Sequence, residues 1–453
     1  MPATPNIEVG LTSDANGHAL SEDRVYRKIT LHILPLIFLS YLLAFLDRIN
    51  VGYAQLQMKG DLGFSDAVYG LGAGIFFLSY LLFEVPSNLL LERIGARVTI
   101  LRIMVLWGLT SAATMFVTTP MQFYVVRFLL GVFEAGFFPG IILYLTYWYP
   151  STRRAGVTGM FMFAIPVAGI IGGPVSGWIM SSMNGVAGYA GWQWMFLLEG
   201  LPTVFLGIAC FLLLKNKPAD APWLTAPEQD LVQRALSADA SGSPSTHAGV
   251  GAEFRQAFFD PRVWLLALIY FATACANYTF TFWLPTMIKG LGVSDVAQIG
   301  WYSAIPYVCA GAGVLLLTRS SDRFKERRWH VGGALIVAAA ALASTTWLQS
   351  SLTASLAVLC FGAFFQFGAG IAFWAIPPTY LRKEAAAVGI GLVSSIGVVG
   401  GFVSPTLLGF IKQQTGNLTY GIYVIAGIMV VGGLAILFAL PKSALRVGTA
   451  LQD

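Results

Sequence analysis

The sequence predicts an all-α integral membrane protein with twelve transmembrane helices arranged as two six-helix pseudo-repeats. Three observations carry that prediction. Of the 453 residues, 56% are hydrophobic and only 11% charged, whereas a soluble chain carries roughly a quarter charged residues. Apolar stretches long enough to cross a bilayer, about 20 residues each, recur along the whole chain. The basic residues fall into alternate connections between those stretches, as the positive-inside rule requires. The 49 glycines and 13% aromatic content agree, because Gly lets helices approach closely in lipid and Trp and Tyr favour the interfaces.

The elements follow in order. Residues 1–28 form a polar tail of mixed charge that lacks the apolar core of a signal peptide, so the first span is expected to be retained and the N-terminus to be cytoplasmic. An N-terminal six-helix bundle over 29–214 holds spans at 29–54, 68–91, 98–118, 121–147, 155–182 and 193–214. A polar stretch at 215–260 contains SADASGSPSTHAG and reads as a flexible cytoplasmic linker. A second bundle over 261–440 holds spans at 261–288, 296–318, 330–349, 352–378, 385–411 and 418–440, before a short cytoplasmic tail at 441–453. With the N-terminus inside, cytoplasmic segments hold 22 of the 27 Lys and Arg residues, while Lys59, Lys289 and Lys412 lie outside and Arg48 and Arg127 within the membrane. That asymmetry predicts a multi-pass membrane protein with both termini cytoplasmic; a cell (inner) membrane is the expected location and a monomer the expected functional unit.

The halves repeat. A shift of 230 residues places Arg93 on Arg323, Arg97 on Arg327, Glu92 on Asp322, Gly140 on Gly370, Ala155 on Ala385 and Gly159 on Gly389. Parallel six-helix repeats place a transporter's site at their interface near the membrane midplane. The loop charges Glu92, Arg93 and Arg97, with their copy at Asp322 and Arg323, are expected to latch helix ends and so to gate.

Ionisable groups at membrane depth are costly and mark function or a pairing role. The deep ones are Asp47 and Arg48 in span 1 and Arg127 and Glu134 in span 4, and the second half has Asn277 in place of Asp47. Arg127 and Glu134 are seven residues apart, so they share a helix face at depths differing by roughly 10 Å. Asp47 and Arg127 have similar estimated depths and are expected to pair across a central cavity. Arginine keeps its proton, whereas carboxylates exchange theirs. Asp47 and Glu134 are therefore the candidate proton carriers, and Arg48 and Arg127 the candidates for a substrate carboxylate. The plainer reading is two static ion pairs holding spans 1 and 4 together. For Glu84 and Glu199, nearer helix ends, local satisfaction of those ends is the preferred reading. Tyr80, Gln366, Trp374 and Ser394 are polar or aromatic candidates for the same site.

The motif ERIGAR from Glu92 to Arg97, with its echo from Asp322 to Arg328, resembles the loop signature of the major facilitator superfamily, although Glu92 replaces the usual aspartate and Asn88 a common glycine. LAFLDRINVGYA, LGAGIFFLSYLLFEVPSNLLLERIGAR and FLLGVFEAGFFPG further resemble the anion:cation symporter family, especially its tartrate, rhamnonate and phthalate-type permeases. The resemblance implies proton-coupled uptake of a small organic acid by alternating access. It implies proton coupling at Asp47 and Glu134, and substrate contacts at Arg48, Arg127, Tyr80 and Trp374. Ile165 stands where sugar-acid members often carry glutamine, and Ser394 where they carry asparagine. Fewer hydrogen-bonding groups imply a less hydroxylated substrate, such as tartrate or an aromatic acid.

Other classes are less consistent with the chain. GIIGGPVSG, from Gly169 to Gly177, resembles a span 5 signature of proton-coupled exporters in the same superfamily, but Trp178 occupies the place of its last glycine. No HExxH, GxSxG or His/Cys cluster points to an enzyme, a metal or a cofactor. The basic residues form no domain or tail suited to nucleic acid. Cys210, Cys275, Cys309 and Cys360 lie in apolar segments as packing residues. The expected partners are a small carboxylate, protons and the lipid bilayer.

Overall fold

A computed structural model describes residues 21–241, 250–381 and 386–441; the first part of the tail, the end of the Ser/Ala/Gly-rich stretch, Ala385 and the last residues lie outside the described residues. Among the described residues, eleven helices are long and apolar enough to cross a membrane: Glu22–Leu62, Asp66–Ile94, Ala96–Phe116, Pro120–Thr146, Ser151–Ser182, Gly191–Leu213, Pro261–Gly290, Val296–Phe324, Leu352–Phe373, Val388–Thr415 and Thr419–Ala439; with the shorter apolar helix Arg328–Ser344 as span 9, they are numbered here 1 to 12 in chain order. Local chemistry sets many of their starts. Ser65 and Ser351 accept the backbone amides of Val68 and Ala354 at the openings of spans 2 and 10, and Asp295 accepts those of Ala297 and Gln298 at span 8. Thr119 and Gln122 form a capping box at span 4.

Several boundaries differ from the sequence expectation, each for a visible reason. Span 1 begins inside the expected tail because Val25, Tyr26, Ile29 and Ile33 recur at helical spacing on a buried face. Span 9 is shorter than expected and opens as a π turn over Arg328–Gly333. Span 4 breaks directly after Glu134. Gly136 there takes φ 84°, a left-handed conformation natural only to glycine, and a Cβ would lie 2.6 Å from Ser87. The linker is partly helical, with helices at Ala226–Ser241 and Val250–Phe259. The first of these is pinned to the N-terminal half. Lys28 pairs with Glu228 at 2.8 Å, Arg154 pairs with Asp239 at 3.4 Å, and Trp223 stacks between His32 and Trp148.

The two halves meet through spans 2 and 11, 5 and 8, and 1 and 7. These contacts gather toward the end opposite the basic loops after spans 2 and 8. A Cβ on Gly70 would sit 2.4 Å from the Pro405 carbonyl oxygen, and one on Gly300 would sit 2.2 Å from that of Gly173. With no apolar driving force between helices in lipid, such backbone-to-backbone approach needs small residues. Polar links reinforce it. Gln55 and Tyr69 donate to the Phe282 carbonyl at 2.9 and 3.0 Å, Gln413 accepts the Ala67 amide, and Lys412 pairs with Asp66. Among the described residues, no hydrogen bond or ion pair joins the halves near the basic loops. The links between the halves are therefore concentrated at one end, called the closed end below, and among the described residues no polar link joins them at the basic end.

Candidate binding site between the halves

The break after Glu134 leaves its carboxyl buried beside span 1, where the Arg48 guanidinium donates to Glu134 Oε1. The pair is largely out of water, with side chains 12% and 2% exposed. Arg48 lies over the rings of Phe76 and Tyr80, 5.3 and 5.9 Å from their centroids. The hydroxyls of Tyr41, Tyr80 and Tyr278 stand close enough to feel its charge. Its Nε has no hydrogen-bond partner. Tyr270 joins this aromatic group and meets Trp374 edge-on at 4.7 Å. Ser394 is half-buried on span 11, one turn from Gly397, whose missing side chain makes room for the Tyr270 ring. Ile165 packs against Phe45 and Ile49 on the N-terminal wall.

The expected Asp47–Arg127 pair does not form. Arg127 is 1% exposed, and its guanidinium donates to the span 2 carbonyls of Gly72 and Ala73 at 3.2 and 3.5 Å while also lying over the Phe76 ring, 5.2 Å from its centroid. Asp47 turns away from the interface between halves. Its Oδ1 accepts from Ser111 Oγ at 2.8 Å and Asn50 Nδ2 at 3.2 Å, and its Oδ2 from Thr203 Oγ1 at 3.4 Å. The two opposite charges are instead satisfied by different neighbours, Asp47 by spans 1, 3 and 6 and Arg127 by span 2. The pairing observed is Arg48 with Glu134. Glu199 also departs from expectation: it is 3% exposed, in the core of the first half, and accepts from Ser176 Oγ at 2.7 Å. Gln366 ties span 10 to the Thr273 carbonyl of span 7.

The gating candidates separate as well. Glu92, Arg93, Asp322 and Arg323 are exposed at the basic end. Arg97 instead holds the Phe211 carbonyl at 2.7 Å and lies over its ring, joining spans 3 and 6 of one half. Sequence reasoning missed Tyr41, Tyr278, Tyr270 and Phe76. Uncharged residues in apolar segments carry no burial penalty that would flag them. A groove of about 650 Å³ between spans 8, 9 and 10 is lined by exposed Leu316, Trp329 and Val337 and faces outward, away from these charges.

The profile of the Major Facilitator Superfamily matches residues 37–405. The chain belongs to this superfamily. It is a transporter rather than an enzyme, and a multi-pass membrane protein. A protein of Agrobacterium vitis named as a tartrate transporter is 44% identical over 94% of both chains. A quinolone resistance transporter of Acinetobacter baumannii is 40% identical, covering 91% of this chain and 94% of that one. A structure described as the partially occluded inward open conformation of the xylose transporter XylE from E. coli superposes with TM-score 0.71 at 16% identity, over 91% of this chain and 98% of that one. At that identity the likeness speaks for the fold alone.

Proposed function

We propose that the chain carries a small carboxylate such as tartrate into the cell together with protons, by alternating access, as a monomer in a cell (inner) membrane. The basic end and both termini face the cytoplasm in this reading, so the structure represents an inward-facing state. The observation that carries the proposal is the Arg48–Glu134 pair, set beneath tyrosines and Trp374 between the halves.

The chemistry follows from what each group can do. Arg48 cannot discharge, so its fork is a fixed anion site, occupied by Glu134 while that acid is ionised. A proton arriving at Glu134 Oε1 removes the internal competitor and frees the guanidinium for a carboxylate. Substrate and proton then favour each other's binding, and that mutual preference is the thermodynamic content of symport. Tyr80, Tyr278 and Trp374 offer hydroxyl, indole and apolar contacts to the rest of the acid. Arg127 adds positive potential beneath the Phe76 ring. Asp47 takes part in proton coupling from behind the site, and the exposed loop charges Glu92, Arg93, Asp322 and Arg323 latch the basic end when it closes.

The test is the Glu134→Gln protein in proteoliposomes with an imposed proton gradient. Labelled tartrate should still bind and exchange, but uphill accumulation should be lost. Accumulation equal to that of the unmodified protein would refute the coupling role. A second reading, export of a larger organic compound, draws on the likeness to the quinolone resistance transporter. The Gly169–Gly177 stretch supports export less than it first suggests, because Gly169, Gly173 and Gly177 abut span 8 at Tyr307, Gly300 and Val296, and Gly172 abuts Ile49 of span 1. Everted vesicles that accumulate a quinolone but no tartrate would favour that reading.

A further inference from the structure

Behind the site, in the core of the first half, lies a second carboxyl that the mechanism above does not use. Glu199 of span 6 accepts from Ser176 Oγ through Oε1, and its Oε2 has no hydrogen-bond partner. Asn50 of span 1 bears on the same carboxyl. Its amide nitrogen donates to Asp47, while its own Oδ1 is without a partner. Two buried acceptor oxygens, Glu199 Oε2 and Asn50 Oδ1, are thus without a hydrogen-bond partner. No basic residue acts on Glu199, so a negative charge there would stand uncompensated out of water. A proton on Oε2 removes that charge and turns an unmatched acceptor into a donor.

The surroundings tie that proton to the movement of the carrier. From span 1, Asp47 and Tyr53 act on Glu199. Span 5 contributes Ser176. Span 3 contributes no charge, since Arg97 is held by Phe211 and Arg102 by Ser87. Ser176 sits beside Gly177 and one turn from Gly173, the two glycines that abut Val296 and Gly300 of span 8 in the closed end. Parting that seal must move the span 5 segment that donates to Glu199. A group whose hydrogen-bond partner moves with a conformational change binds protons differently in the two states. By reciprocity, its proton then biases those states.

We infer that Glu199 is a third proton-binding carboxyl of this transporter, linked to Asp47 through Asn50, and that its proton helps to hold the span 5–span 8 seal closed. The inference rests on the proton-coupled reading above and adds a site to it.

The experiment uses the full chain in lipid nanodiscs, without substrate. Spin labels at Ser182→Cys and Ser294→Cys, both exposed at the closed end, report the width of the seal in a background with the four native cysteines replaced. The labelled parent should open progressively as pH rises from acid to mildly alkaline. Glu199→Gln keeps the neutral shape and should lose at least half of that pH response, remaining mostly closed. Should that variant not fold, Ser176→Ala leaves the carboxyl in place and should displace the midpoint by about one pH unit. An unchanged response in Glu199→Gln, or an unchanged midpoint in Ser176→Ala, overturns the assignment. If Glu134→Gln alone abolishes the response, the assignment of Glu199 fails while proton coupling stands. If the parent itself shows no response, the assignment fails and proton coupling loses support as well.

Discussion

Lys412 of span 11 and Asp66 of span 2 form an ion pair at 3.1 Å that crosses from one half to the other at the closed end, and Lys59 of span 1 also pairs with Asp66. Side chains near 20% exposure make this a partly solvated contact, of the kind worth about 0.5–1 kcal/mol. Lys412→Gln should therefore raise the population open at that end about two- to fivefold. The rate at which a cysteine introduced at Ser65 is alkylated measures it, and a rate unchanged at low ionic strength would count against the pair as a latch.

Gly300 is a sharper constraint. A methyl group there meets the Gly173 carbonyl oxygen at 2.2 Å, and neither backbone can yield without parting the helices. Gly300→Ala should cost the closed end about 1–3 kcal/mol, which is roughly a 5- to 150-fold loss of the closed state. Transport should fall while the thermal midpoint in detergent stays within a few degrees. A variant transporting at the normal rate would show that spans 5 and 8 do not seal this end.

The two arginines should respond differently to shortening. Arg48 faces Tyr41, Tyr80 and Tyr278, with Trp374 reached only through Tyr270, whereas Arg127 spends its donors on the Gly72 and Ala73 carbonyls. Arg48→Lys should weaken tartrate binding at least tenfold, because a point charge replaces a fork. Arg127→Lys should weaken it less and destabilise the fold more. Binding isotherms and melting curves for the two purified variants separate the effects; equal losses of affinity would contradict the assignment.

The linker clasp provides a test by pH. Partial burial of Glu228 acts to raise its pKa, but the Lys28 ammonium and the Thr225 amide outweigh it and hold the carboxyl below its ordinary value of 4.5. A group with a lowered folded-state pKa contributes stability above its unfolded value and loses it as pH falls through the folded one. Helix Ala226–Ser241 should therefore stay docked from neutral pH down to about 4.5, then release. Hydrogen exchange across that helix follows the release, and Glu228→Gln should bring it about at neutral pH. Protection unchanged in that variant would show that the stacking of Trp223 suffices alone.

Much of this arrangement was legible from sequence. Hydropathy and the Lys/Arg pattern located the spans because burial in lipid acts on every residue of a helix at once. The deep charges stood out because each is individually expensive. What sequence did not reveal was direction around each helix axis. Asp47 and Arg127 point to different neighbours rather than to each other, and span 6 hides Glu199 sideways against spans 1 and 5 rather than near an end. Tyr41 and Tyr278 were indistinguishable from packing residues until the halves were brought together.

The ion pair between Arg48 and Glu134 also bears on how voltage acts on the carrier. With Asp47 and Arg127 charged as well, and Glu199 protonated, the four deep charges of the empty protein sum to zero. In the proposed cycle, its return across the bilayer then moves no net charge while Glu199 keeps its proton, whereas a return with Glu199 ionised carries one negative charge on which the membrane potential acts. While that proton is held, voltage enters only through the loaded half, where each positive charge carried inward in excess of the anion gains about 2.3 kcal/mol per 100 mV. In the proposed symport the potential would thus set how far the acid can be concentrated, while the turnaround of the empty carrier would be indifferent to energisation of the cell only as long as Glu199 holds its proton.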